Sequence, residues 1–139
     1  MDKWLFGSVL VQVLLTLAVM VLMGRRRFAS ARNKEISLKA FRTMDLAGAN
    51  EGVITASRNF DNQFQLPVLY LAAVALTLPA GLAELPLVLL GWCFVVSRVA
   101  HCLVHTGSNN VRLRFSLYLL GAVFLLLYWV RLSALVLLA

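Results

Sequence analysis

Charge is scarce in this chain, and negative charge scarcest of all. Of 139 residues only 14% are charged, and six Asp and Glu face thirteen Lys and Arg. A soluble domain carries about 25% charged residues. No carboxylate pair stands at a spacing suited to general acid–base work, which excludes the common hydrolase chemistry built on two acids. The first apolar run has no internal acid, which a small proton-driven exporter would need. Cysteine occurs twice, as Cys93 and Cys102. On a helix these two fall about 180° apart, too far round to bridge. They read as reduced packing residues, with Cys102, beside an ionisable stripe, as the one alternative thiol. Glycine-rich phosphate loops and serine elbows are missing. No aromatic-interleaved basic surface accompanies the net charge of +7, so nucleic acid is not an expected partner.

What the chain has in quantity is apolar sequence, 61% by composition. Four runs, at 4–23, 64–82, 85–104 and 115–138, are long enough or nearly so to cross about 30 Å of hydrocarbon at about 1.5 Å per residue. The expectation is an all-α, four-helix membrane bundle forming one domain over 1–139. Its spans are placed at about 4–23, 58–82, 85–105 and 114–138, with a basic loop at 25–57. The first run reads as a retained helix, since Lys3 stands beside Asp2 and no Ala-x-Ala site precedes Arg25.

Basic residues set the expected orientation. Arg25, Arg26, Arg27, Arg32, Lys34, Lys39, Arg42 and Arg58 surround the first connection, and Arg112 and Arg114 the third. The second connection, at Ala83 and Glu84, has none. The positive-inside rule puts the first and third loops in the cytoplasm and both termini outside. Within the first loop, Ile36, Ala40, Phe41 and Met44 recur at helical spacing. A short amphipathic helix over 35–46 is expected there, with Gly48 and Gly52 marking a break after it. Ser57 is the expected N-cap of the second span, and Pro67 an expected kink within it. Glu84 should be solvated, and Arg131 should snorkel to the outer interface beside Tyr128 and Trp129. Gln12 is free to hydrogen-bond a neighbouring helix.

Two polar stripes interrupt the apolar pattern. Arg98, His101 and His105 fall within about 60° of arc on the third span. Ionisable groups at membrane depth cost roughly 2.5–3.5 kcal/mol each on insertion scales, so they are expected to face a polar cavity. Arg58, Asn62 and Gln65 share a face at the start of the second span, with Asn59 and Gln63 to one side. They read either as a helix end in water or as the opposite wall of that cavity. His101 and His105 stand four apart, as metal ligands do, but Arg98 adds positive charge and the nearest acid is Asp61 on another helix. No metal is expected.

These residues resemble the MAPEG family, the membrane-associated proteins of eicosanoid and glutathione metabolism, over essentially the whole chain. In that family the second helix carries an arginine, an asparagine four later and a glutamate three beyond, where this chain has Arg58, Asn62 and Gln65. The family's third helix carries an arginine, then histidine or tyrosine at +3 and tyrosine at +7. This chain has Arg98, His101 and His105 there. A further arginine opening the fourth helix is credited with stabilising the glutathione thiolate, with a tyrosine nearby. Arg112 and Arg114 each match one branch, and Tyr118 follows. The resemblance implies a homotrimer in lipid that holds glutathione between subunits near the cytoplasmic side. Arg58, Asn62, Gln65, Arg98, His101 and His105 would then bind the cofactor. Arg112 or Arg114, with Tyr118, would serve transferase or peroxidase chemistry on a lipophilic electrophile. Gln65 and His105 depart from the family pattern. They suit an alternative, a non-catalytic lipid-binding or scaffolding protein of the same fold.

Overall fold

The computed structural model describes residues 1–37 and 39–138. Among them are six helices and no strand: α1 (Asp2–Arg32), α2 (Ala40–Thr43), α3 (Glu51–Asn62), α4 (Leu66–Thr77), α5 (Leu85–Thr106) and α6 (Val111–Leu137). Helices α1, α5 and α6 are each long and apolar enough to cross a membrane. At 31 residues α1 is about 46 Å long, which exceeds about 30 Å of hydrocarbon and carries Arg25 to Arg32 past the apolar slab. In the most apolar windows of α1 and α6 only 22% of residues are buried, so both helices keep apolar outer faces exposed in the single chain.

The helix expected over 58–82 is two helices. α3 starts earlier, at Glu51, because Asn50 rather than Ser57 caps it; Asn50 Oδ1 accepts from the Val53 amide at 3.0 Å. Ser57 Oγ is occupied otherwise, accepting from Arg27 at 3.0 Å. The chain then turns through Gln63 to Gln65 and restarts at Leu66. Pro67 has no amide hydrogen to give the Gln63 carbonyl, so a helix cannot run through it unbroken; the restart places it in the first turn of α4, where no donor is needed. Instead of a kinked span, the chain has a full break of three residues, 63–65, just ahead of the turn that holds the proline. The amphipathic helix expected over 35–46 is shorter too. Only Ala40–Thr43 is helical, ended by Met44 at φ 56°, while Leu38 lies outside the described residues.

α5 lies along α6, and α1 packs across α3, α4 and α5. Leu5, Tyr70, Ala73, Leu87, Phe94, Leu125 and Tyr128 form the core near the chain termini. Two glycines allow the close approaches. A Cβ on Gly91 would stand 2.6 Å from Tyr70 Oη, and one on Gly121 would stand 2.7 Å from Ser97 Oγ. Polar groups in this core are paired: Tyr70 with Ser8, and Tyr128 with Thr77 at 2.9 Å. Glu84 is not simply solvated, nor does Arg131 stand alone. α5's N-cap and α6's far end sit level, and the two side chains form a two-pronged pair at 2.5 and 2.9 Å.

At the opposite, basic end Arg26 ties three elements together. Its guanidinium donates to the Gly52 and Thr106 carbonyls, both at 2.9 Å. Arg27 stacks over Phe41 as well as bonding Ser57. This clamp holds α3 against α5 and sets the spacing of the site.

Candidate functional site

Three elements converge beside the basic end. α3 contributes Arg58 and Asn62, α5 contributes His101 and His105, and α6 contributes Val111, Arg114, Phe115 and Tyr118. Together they line a cavity of about 260 Å³. The one-turn offset of each pair (58 and 62, 101 and 105, 114 and 118) follows from helical spacing, so each helix presents a single edge to the cavity.

The two imidazoles are held in complementary states. His101 Nδ1 lies 3.0 Å from the Arg114 carbonyl oxygen. A carbonyl only accepts, so Nδ1 carries the hydrogen and, in the neutral ring, Nε2 is a bare acceptor. Asn62 Nδ2 donates to His105 Nδ1 across 3.5 Å, which leaves the His105 hydrogen on Nε2. Neither Nε2 has a hydrogen-bond partner among the described residues, although both rings are buried. The rings stand edge to face, 5.4 Å apart. The two Nε2 atoms are thus one acceptor and one donor left without a partner among the described residues.

Arg98 sits behind the wall. It is 0% exposed, and all three of its guanidinium nitrogens lack a hydrogen-bond partner among the described residues. Its guanidinium lies 5.5 Å from the centre of the Tyr118 ring. The ring face offers partial compensation. Leaving a buried cation otherwise unpaired costs several kcal/mol.

The two stripes read from the sequence come together only in part. Arg58, Asn62, His101, His105, Arg114 and Tyr118 share the cavity. Arg98 reaches it only through Tyr118. Gln65 is exposed in the break between α3 and α4, and Arg112 is exposed on α6; neither lines the cavity. The break explains Gln65, because a residue beyond the end of α3 no longer follows the register that put it on the face of Arg58 and Asn62. Asn59 and Gln63 turn inward instead. Asn59 Nδ2 donates to Cys102 Sγ at 3.0 Å, and Gln12 Nε2 donates to Gln63 Oε1 at 3.1 Å. Cys93 is exposed and Cys102 buried, on opposite sides of α5. Among the described residues no three His, Cys, Asp or Glu side chains group as metal ligands do.

Two residues missed in the sequence are Asn109 and Glu51. Asn109 Oδ1 accepts from Arg114 Nη1 at 2.6 Å, and its Nδ2 donates to Glu51 Oε1 at 2.8 Å. The Asn109-Asn110 dipeptide was the available signal, since asparagine favours both left-handed turns and N-caps. Here Asn109 has φ 48°, and Asn110 caps α6.

No curated protein and no solved structure gives a significant match to the chain. The profile of the MAPEG family matches residues 5–134, nearly the full length and all of the cavity-lining positions. Three membrane-length helices, an all-α fold and this match agree: the chain is an integral membrane protein of the MAPEG family.

Proposed function

We propose that this protein is a glutathione-dependent transferase or peroxide-reducing enzyme acting on lipophilic substrates. In this reading it works as a homotrimer, with α3 and α4 together completing a fourth crossing. The first and third connections lie on the cytoplasmic side, in keeping with the basic residues there.

The observation that carries the reading is the chemistry of the cavity wall. Two guanidiniums, Arg58 and Arg114, face a space of about 260 Å³ with an amide and two imidazoles whose Nε2 atoms are unpartnered. Glutathione is a peptide with two carboxylates, one ammonium group, amides and one thiol; the lining residues suit its carboxylates, amides and thiol, and none of them is an acid to pair the ammonium. Guanidiniums recognise carboxylates with two parallel bonds. His101 Nε2 would accept from a peptide N–H or the thiol, and His105 Nε2 would donate to a carbonyl or carboxylate. When bound, the tripeptide supplies a thiol that titrates near 8.5 when free and is the nucleophile only as thiolate. The Arg114 guanidinium, at the opening of α6, would hold that sulfur in its ionised form. Tyr118 would donate its hydroxyl beside it. Phe115 and Val111 form an exposed apolar lip, through which a membrane-dissolved electrophile would reach the sulfur. Arg114 is favoured over Arg112 as the thiolate partner because it lines the cavity.

A second reading, lipid binding or scaffolding without catalysis, is favoured by Gln65. An amide stands where the family has a glutamate, and it lies off the cavity wall.

The test is titration calorimetry of glutathione into the detergent-purified protein, with Arg58→Ala and Arg98→Ala alongside. Saturable binding lost in both variants supports the enzyme reading and calls for an electrophile screen. No binding at millimolar glutathione removes it in favour of the lipid-binding role.

A further inference from the structure

We propose that Asn109 is a positioning residue that holds the Arg114 guanidinium at the cavity, and that Glu51 determines which end of the Asn109 amide faces it. The inference rests on the reading of the cavity as a glutathione site only for the value of that positioning, not for its existence.

Arg114 needs a holder. Arg58 lines the same cavity and carries the same charge, so repulsion favours swinging Arg114 out toward water. Its one side-chain hydrogen bond among the described residues is to Asn109, at 2.6 Å. A carboxylate at that position would hold it more strongly but would also neutralise it. A neutral amide oxygen fixes the guanidinium while leaving its charge for a ligand.

An amide has a donor end and an acceptor end, and only one orientation serves. With the nitrogen turned toward Arg114, two donors would confront each other. Glu51 removes this ambiguity. Its carboxylate only accepts, so Asn109 Nδ2 must face it, at 2.8 Å, and Oδ1 is left for Arg114. Glu51 is itself fixed as the first residue of α3, after the Asn50 cap. The adjacent Gly52 carbonyl is gripped by Arg26, whose other arm holds Thr106 at the end of α5. The orientation of a cavity arginine on α6 is thereby set from the start of α3.

The backbone supplies a clean variant. Asn109 sits at φ 48°, where glycine is at ease, so Asn109→Gly removes the amide without straining the turn. Glu51→Gln keeps the shape but can donate as well as accept, so it lets the Asn109 amide turn over. Both are made in the full-length protein in detergent. The first readout needs no glutathione: the rate at which an arginine-directed dicarbonyl, phenylglyoxal, modifies Arg114, followed by peptide mass spectrometry. Arg112, exposed on the same helix, is the internal control. Arg114 should react several-fold faster in both variants, with Arg112 unchanged. The second readout is the pH midpoint of thiolate absorbance from bound glutathione. It should rise by about one pH unit in Asn109→Gly, as expected when a neighbouring cation is released. A merely structural turn residue would alter stability and not this midpoint. Wild-type modification rates in both variants overturn the proposal, as does an unchanged midpoint with glutathione still bound. If the wild-type protein binds no glutathione, the functional reading fails by itself, and the Arg114 modification rate alone decides the positioning.

Discussion

His101 donates its Nδ1 hydrogen to the main-chain carbonyl of Arg114, 3.0 Å away, so a side chain of α5 is locked to the backbone of the residue whose guanidinium lines the same cavity. The bond fixes the ring's tautomer and ties α5 to the first turn of α6. His101→Gln, which can still donate to that carbonyl from a different reach, should retain most of the fold. It loses the acceptor at Nε2 and should weaken glutathione binding by roughly tenfold, the scale of one hydrogen bond to a partly buried group. Calorimetry measures it; equal affinity would remove His101 from the binding set.

Arg98 predicts a trade between stability and binding. Its guanidinium is fully buried with no hydrogen-bond partner among the described residues. Arg98→Met, similar in length and without charge, should raise the stability of the ligand-free protein by about 1–3 kcal/mol. The same change should abolish anion binding. Thermal unfolding in detergent, with and without glutathione, checks both halves. A destabilised Arg98→Met would mean that the cation has a compensating partner in the free protein.

Gly121 predicts a steric coupling. A Cβ there meets Ser97 Oγ at 2.7 Å, and that hydroxyl is also bonded to the Phe94 carbonyl. Gly121→Ala should destabilise by about 1–3 kcal/mol. Adding Ser97→Ala should recover part of this, because the clashing atom is then gone. Additive losses in the double variant would show that backbone separation, and not this contact, sets the cost.

The Glu84–Arg131 pair predicts an acid dependence of limited size. The hydrogen bond from Arg131 holds the Glu84 carboxyl below its ordinary value of 4.5. A carboxyl depressed in the folded state lends stability above its unfolded value, and this is lost as pH falls through the lower folded value. Glu84→Gln should therefore differ slightly from wild type at neutral pH and converge with it only as pH falls below the lowered folded-state value. Because the pair is exposed, the difference should also shrink at high salt. Unfolding curves across that pH range test it, and a constant gap at all pH values would assign the effect to packing.

Much of the site was legible because helical spacing is a local property. Arg98, His101 and His105 could be put on one stripe by counting, and so could Arg58 and Asn62. The count failed at Gln65 because it assumed an unbroken helix, and the register ended at Asn62, with three residues between it and a helix that restarts next to Pro67. Arg112 and Arg114 could not be separated by counting, since the choice depends on how α6 is rotated against α5. Asn109 and Glu51 were invisible as a pair: 58 residues apart, they meet only because Arg26 draws the start of α3 and the end of α5 together.

By itself the sequence determined the class of molecule. Apolar length, sparse charge and basic connections leave a helical membrane protein as the physical solution, because a backbone in hydrocarbon must satisfy its own hydrogen bonds. It also determined which polar residues would be costly enough in lipid to need a purpose. Only the tertiary structure decided which of them face one another. That choice depends on helix rotation, on the break at Gln63 to Gln65 and on side chains that bond across α1, α3, α5 and α6, none of which is a property of any one segment.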